Sequence, residues 1–387
     1  MRSTNGIREG GPGPRWLAAA VVAVVLLLLA VPPLAPGRTF RPPHHRLFHG
    51  VSDTGDNRDF RVFNRRVGAH SALLQDFYHW RAPLSTGALQ RWAATDTRGV
   101  LSLSTAPGGK PEMISPLRIA RGHGDAYLLR LNREIAASRQ VVYIRLFPEM
   151  NGYWNPYCAY NSDGSFRGHS HSTGAFRRAW QRSVLIIRGG DRARINGKLR
   201  RRGMPLIYRA QSNQDPRYAQ NDVPSRLPSA RVAFMWVPQT IASPAVGGNQ
   251  PGAYWPGHRF VDWVGADIYS KFASPGVRSA LQRFYRHWDR WPFVIGEYSP
   301  WDNDYSGSFT RYLFRWSLHH HRVRALMYYR SVFPNNEFDI NHWPAARHAI
   351  RHFLNRHRFD PYPPGVGHRR QARHPHGSHH ARHSGHR

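Results

Sequence analysis

The sequence holds a single cysteine, Cys158. No disulfide can form within the chain, and no thiolate-based metal site can be built. No histidine at helical spacing accompanies Cys158, so a thiol nucleophile would lack its base, and the residue reads as a packed small side chain. Acid is scarce as well. Asp and Glu together number 23 against 55 Lys and Arg, for a formal charge of +32. A field of that sign favours polyanions. No specific nucleic-acid partner is expected, because the arginines are scattered and no helix-turn-helix, zinc-finger or RNA-binding signature appears. A Gly-rich phosphate loop is missing after the first candidate strand, which argues against an open nucleotide-binding sheet.

Apolar material is plentiful. Hydrophobic residues make up 41% of 387 positions, enough for a sizeable core. Aromatics reach 13%, with 13 Trp and 17 Tyr; such rings either fill a core or stack on sugars. Arg2, Arg8 and Arg15 precede an apolar run from Trp16 to Val31, and Pro32, Pro33 and Pro36 follow. This is the layout of an export signal. Cleavage near Ala35 and retention as a single membrane anchor both fit, so residues 1–37 read as signal peptide or anchor and the rest as extracytoplasmic. Residues 38–46 read as a linker, 47–358 as the folded domain and 359–387 as a disordered His/Arg-rich tail. The tail is expected to touch cell-wall polyanions, and the protein to act as a monomer.

Eight candidate strands punctuate the domain: Leu47–Val51, Ala69–Leu74, Val100–Leu103, Val141–Phe147, Val232–Val237, Trp263–Ile268, Phe293–Ile295 and Ala325–Tyr329. Amphipathic helical segments lie between them, at Ala126–Ala137, Val277–Trp288 and Gly307–His319 among others. Strands alternating with helices predict a parallel sheet, and eight such units suit a closed (β/α)8 TIM barrel in the α/β class. Ile186–Arg231, with its basic stretch, reads as a helix and long loop between the fourth and fifth strands.

Only six Glu occur: Glu9, Glu112, Glu134, Glu149, Glu297 and Glu337. Two stand apart. Glu149 follows the fourth candidate strand and leads into a loop of Asn, Tyr and Trp; Glu297 follows the seventh and is again followed by aromatics. The C-terminal ends of all barrel strands meet on one face, so these acids would face each other although 297 − 149 = 148 positions separate them. Paired carboxylates are the machinery of glycoside hydrolysis: one protonated to release the leaving oxygen, one ionised to attack the anomeric carbon or activate water. Two carboxylates and water suffice, so no metal or organic cofactor is implied. The three successive His319–His321 read as surface rather than as a zinc triad.

The motifs RLFPEMNGYW, VAFMWVP, YWPGHRFVDWVGADIYS and PFVIGEYS together resemble glycoside hydrolase family 26, over about Gly50 to Leu354. The best-known members are β-mannanases, within the clan of retaining (β/α)8 glycosidases. The resemblance implies Glu149 as acid/base and Glu297 as nucleophile. It implies Trp154 as a sugar-stacking ring, Asp267 and Tyr269 as the sixth-strand pair with the Tyr hydroxyl on the nucleophile, and Arg145 as support beneath the carboxylates. It implies that Asn151 shapes the loop after the acid/base and that Tyr329 replaces a Trp platform on the eighth strand. One position departs. The family places His before the acid/base, and this chain has Pro148, which offers neither a side-chain hydrogen bond nor a backbone N–H. Trp236 and Trp301 are further expected in the cleft, while Trp263 reads as core. The functional expectation is an exported retaining endo-β-glycanase acting on β-mannan or a related β-linked polysaccharide. The alternative is a cell-surface protein that binds carbohydrate on a hydrolase scaffold.

Overall fold

A computed structural model describes residues 39–52, 57–84, 87–207, 223–331 and 337–366. The chain divides into two units after Gly37. The first unit, with the apolar run read as signal or anchor, lies outside the described residues, as does the basic tail from residue 367. Among the described residues no helix is long and apolar enough to cross a membrane.

Eight parallel strands form the centre: β1 (Leu47–Ser52), β2 (Leu73–His79), β3 (Arg98–Ser104), β4 (Val142–Leu146), β5 (Val232–Trp236), β6 (Trp263–Tyr269), β7 (Phe293–Ser299) and β8 (Val323–Tyr329). Each pairs with its neighbours in chain order, and β8 pairs with β1, closing a (β/α)8 barrel. Helices α1 (Asn57–Val67), α2 (Ala88–Ala94), α3 (Pro116–Ala120), α4 (Asp125–Ser138), α5 (Thr173–Arg188), α6 (Arg192–Arg200), α7 (Pro275–His287), α8 (Ser308–His319) and α9 (Pro344–Leu354) run between and after them. Between β5 and β6 the described chain makes only short 3-10 turns.

The strands read as near-continuous apolar runs because both faces are covered. Their two-residue period divides the side chains. Tyr143, Ala233, Met235, Val237, Trp263 and Val294 pack together inside the barrel. Val142, Ile144, Phe234, Trp236, Val264 and Ile295 pack in the layer beneath the helices. The stretch read as a linker takes part in this core. Phe40 packs against the inner cluster, its carbonyl accepts from Arg98 Nη1 at 2.9 Å, and Trp263 Nε1 donates to the Thr39 carbonyl at 2.7 Å. Residues 39–46 thus close the N-terminal end of the barrel. Phe359–Asp360, assigned by sequence to the tail, form a short strand beside β1.

Two strands depart furthest from the expected bounds, and in both polar residues interrupt the apolar run. β2 begins at Leu73 rather than Ala69, because Gly68 ends α1 in the left-handed region and Asn64 Oδ1 accepts from the Ser71 N–H, holding that stretch as a turn. The strand then continues through Gln75 and Asp76, which sequence reading left out. Asp76 turns towards α2, pairing with Arg91 and accepting from Trp92 Nε1 at 2.6 Å. β7 likewise runs past Ile295, through Glu297, to Ser299.

Gly99 on β3 shows how closely sheet and helix approach. A Cβ there would lie 2.1 Å from the Trp92 ring of α2. Gly99→Ala is therefore expected to cost about 1–3 kcal/mol by overpacking. Urea denaturation measures it, and an unchanged midpoint would mean that α2 yields freely.

Candidate active site

The strand ends of β4, β6 and β7 bring the chemistry together at one mouth. Arg145 lies on β4, Asp267 and Tyr269 on β6, and Glu297 on β7. The Arg145 side chain is fully buried. Its Nη1 donates to Glu297 Oε1 at 2.5 Å, and its Nη2 donates to Asp267 Oδ2 at 2.6 Å. A planar guanidinium can serve two carboxylates at once in this way; an ammonium could not hold both directions fixed. Gln75 Nε2 donates to the same Glu297 oxygen at 3.3 Å, and the Tyr269 hydroxyl donates to Glu297 Oε2.

A bulge aims Glu297. In the pairing with β6, Ala266 meets Ile295 and Asp267 meets Glu297, so Gly296 is skipped. The pairing with β8 skips a residue over the same stretch, from Ile295 to Tyr298. Without the bulge, strict alternation from Val294 inside through Gly296 would turn Glu297 outward. With it, Gly296 and Glu297 both face the barrel, and Tyr298 faces the outer layer beside Phe314. Glycine is needed at the bulge, because a Cβ would sit 2.6 Å from Asp267 Oδ1 and 2.9 Å from Val237.

Glu149 reaches the mouth differently. It stands three residues beyond β4, and both it and Phe147 have left-handed backbones, with φ of 51° and 48°. Such conformations cost about 1–3 kcal/mol each and persist where surroundings impose them. Here the Glu149 N–H donates to the Val237 carbonyl at 2.8 Å. Asn151 and Gln239 clasp each other, Nδ2 to carbonyl at 2.9 Å and N–H to Oδ1 at 2.8 Å. The Glu149 carboxylate then accepts from Trp154 Nε1 at 2.8 Å and from the Gln239 side-chain amide. Gly152 leaves the room Trp154 needs, since a Cβ would meet the ring at 2.4 Å.

One oxygen from each of Glu149, Asp267 and Glu297 lies within 4.8 Å of the others. Three carboxylates share one guanidinium, so full ionisation would leave uncompensated charge. Burial pushes the Glu149 carboxyl up, and the charge of Glu297 adds to the rise; Trp154 and Arg145 pull the other way. Burial also pushes Asp267 well up, against Arg145. The Tyr269 hydroxyl is raised by burial and by Glu297, so it remains a donor. Three carboxylates could in number ligate a cation. Arg145 already places its positive charge between two of them, which suits the cluster poorly to a metal.

The rim is aromatic. Tyr329 and Trp301 each stand edge-on to Tyr269, at 5.8 and 5.7 Å, and Phe77 stands edge-on to Tyr329 at 5.9 Å. Trp154 is 51% exposed and Phe77 is 44% exposed, leaving ring faces open. One expected site residue lies elsewhere, and another is closed off. Trp236 is fully buried against Trp255, Phe284 and Trp288, outside the barrel wall, because it is one position out of phase with inward-facing Met235. Asn151 is also fully buried and committed to Gln239, so it shapes the loop without an open face. Gln75 and Gln239 were missed by sequence reading. For Gln75 the available signal was a polar residue inside an apolar strand; for Gln239 there was none. Cys158 is buried beside Asn249 and Tyr254, in keeping with a packing role.

No family model matches the sequence. No curated protein matches it either. Solved structures do match. The chain is similar to the YdhT protein from Bacillus subtilis at 13% identity and a TM-score of 0.50, over 84% of this chain and 89% of that one. It is similar to a modular endo-β-1,4-mannanase from Cellulomonas fimi, a glycoside hydrolase family 26 mannanase, at 12% identity and a TM-score of 0.53, over 81% of this chain and 72% of that one. At such identities the likeness is one of fold, and the fold is that of family 26 barrels.

Arg145→Ala would leave buried carboxylates without their partner and should destabilise the protein by about 3–5 kcal/mol. Trp236→Ala should cost about 3–5 kcal/mol as a core truncation. Trp154→Ala, at an exposed ring, should cost far less. Guanidinium denaturation of the three variants checks the ranking, and a Trp236 variant as stable as the Trp154 variant would contradict the core assignment.

Proposed function

We propose that this chain is a retaining glycoside hydrolase that cleaves β-mannan or a related β-linked polysaccharide outside the cytoplasm. The observation that carries the reading is the pair Glu149 and Glu297, with oxygens within 4.8 Å in contrasting surroundings. Carboxyl separations of about 5–5.5 Å accompany double displacement, whereas inversion needs about 6.5 Å or more to admit water. The family 26-like barrel supports the glycosidase class, and the similar Cellulomonas fimi protein is an endo-β-1,4-mannanase.

In this reading Glu297 is the nucleophile. Arg145, Gln75 and Tyr269 all donate to its oxygens, which holds the carboxylate in place. It attacks the anomeric carbon while Glu149 gives its proton to the departing glycosidic oxygen. The carbon–oxygen bond to the leaving sugar breaks, and a glycosyl ester to Glu297 forms. Water then enters, Glu149 takes its proton, and the new carbon–oxygen bond releases Glu297. Burial and the Glu297 charge raise the Glu149 pKa and so hold the proton the first step needs. Trp154, Tyr329 and Trp301 serve as sugar platforms. Pro148 supplies no hydroxyl contact, so the sugar is held there by other groups.

A panel of β-linked glycans with wild type and Glu297→Ala, products read by NMR, tests the reading. Glycan release by wild type with retained anomeric configuration, lost by about 10⁴-fold or more in the variant, is expected for a covalent nucleophile. Equal background release from both would sink the enzyme reading and leave a carbohydrate-binding protein.

The pH dependence has a definite sign. A raised acid pKa means the folded state keeps its proton longer than the unfolded chain. Glu149 therefore subtracts stability as pH rises from the ordinary glutamate value through its raised one. The basic limb of kcat/KM should lie above the ordinary glutamate range. In Glu297→Gln the Glu149 pKa should fall, because the second cause of its rise is gone. Carboxyl NMR titration checks this, and an unmoved Glu149 pKa would refute the coupling.

A further inference from the structure

Helices α8 and α9 pack through Phe314 and Phe353, whose rings stack at 5.1 Å. Above that contact runs a groove of about 1050 Å³. Its walls carry Arg311 and Arg315 from α8, then Arg356 and Arg358 from the turn after α9. Imidazoles join them: His319 from α8, His348 and His352 from α9, and His357. No carboxylate lines it. Arg311 and Arg315 stand four apart on one wall, and His348, His352 and Arg356 follow at the same interval on the other, so each wall shows one row of basic side chains.

Among the described residues the charge is unanswered: none of these four arginines has a carboxylate oxygen within 4.0 Å. Arg358 Nε is buried and has no hydrogen-bond partner. Arg356 donates to His352 Nε2 at 2.9 Å, a cation held against an imidazole rather than an acid. The positive field extends to the adjoining end of the barrel. His45 is pushed below its ordinary value, first by His44, with Arg358 and Arg324 contributing. Arg324 is lowered by burial and then by Arg41 and Arg358.

The groove lies away from the carboxylates. Its Arg358 end meets the start of β1, where the Arg358 carbonyl accepts from the Leu47 N–H at 2.8 Å, whereas Glu149 and Glu297 sit where strands end. Its floor is apolar, built from Leu318, Ala349 and Phe353. Phe353 is 4% exposed, so no Phe, Tyr or Trp face is offered on which bases could stack. A concave shape disfavours a planar lipid surface. Arginine-bearing walls over an apolar floor match a uronic acid ring, which carries a carboxylate at its edge and C–H bonds on its face. The export-type leader also favours cell-surface polymers over nucleic acid.

We propose that the groove between α8 and α9 binds an acidic polysaccharide, a chain of carboxylate-bearing sugars, at a site separate from the barrel mouth. Arg311, Arg315, Arg356 and Arg358 pair with successive carboxylates, and the partly exposed Leu318 meets C–H bonds of the rings. The site would hold the protein on an acidic matrix while the mouth remains free for another chain.

Affinity electrophoresis of the full chain in polygalacturonate gels tests this. The triple variant Arg311→Gln, Arg315→Gln, Arg356→Gln should raise Kd about tenfold, as three exposed pairings warrant. A charge-matched control, Arg194→Gln, Arg200→Gln, Arg201→Gln, changes exposed arginines of the α6 region and should shift it less than about threefold. Glu297→Ala should leave Kd unchanged, so loss of the catalytic reading and loss of this one are separable. Equal losses in both triple variants would overturn the site, since they would reflect net charge alone. So would failure of wild type to bind polygalacturonate, or tighter groove-dependent binding of a DNA duplex. If the triple variant does not fold, Arg315→Glu, at an exposed helical position, carries the same comparison against Arg201→Glu.

Discussion

A single guanidinium governs the centre of this barrel. Arg145 enters from β4 and ties Asp267 on β6 to Glu297 on β7, crossing β5, the strand between β4 and β6. Its burial is tolerable only because both carboxylates accept from it, and their burial is tolerable only because it donates. Strand phase, bulge position and loop geometry must all agree for that exchange to close. The aromatic rim and the two proposed catalytic acids are arranged around it.

The same contact gives the two acids unlike surroundings. Glu297 receives the charged donor directly, with Gln75 and Tyr269 in support. Glu149 accepts from neutral N–H groups of Trp154 and Gln239 and faces a neighbouring negative charge. One group is thereby anchored in position, and the other is drawn towards its protonated form. No special chemistry of glutamate is required, since position alone makes the two unlike.

Much of this was legible in the chain. Eight apolar runs gave the barrel, and a shortage of glutamate made Glu149 and Glu297 visible at their strand ends. The family resemblance supplied Arg145, Asp267, Tyr269 and Trp154, which the fold brings to one place. What escaped reading was phase. Trp236 looked like a cleft residue because it ends a strand, yet Met235 holds the inward position. Alternation along VAFMWVP would have revealed this, since Ala233, Met235 and Val237 share the inner face. Gln75 was hidden because polar residues made its strand look as if it had ended. Gln239 was hidden because its partner is distant in sequence. The ends of the domain were misjudged because a Pro-rich linker and a basic tail give no hint that Phe40 and Phe359 pack against the barrel.

The bulge at Gly296 acts as a switch in reading frame for side chains. Were the strand to pair every residue in turn, Gly296 included, every later position of β7 would change face. Glu297 would then turn into the oily layer under the helices, and Tyr298 would take its place beside Arg145. The barrel's outline would survive such a slip, yet its mouth would lose the proposed nucleophile and its shell would carry a buried acid. A register step of one residue, far smaller than any loop insertion, decides on which side of the wall that carboxylate lies.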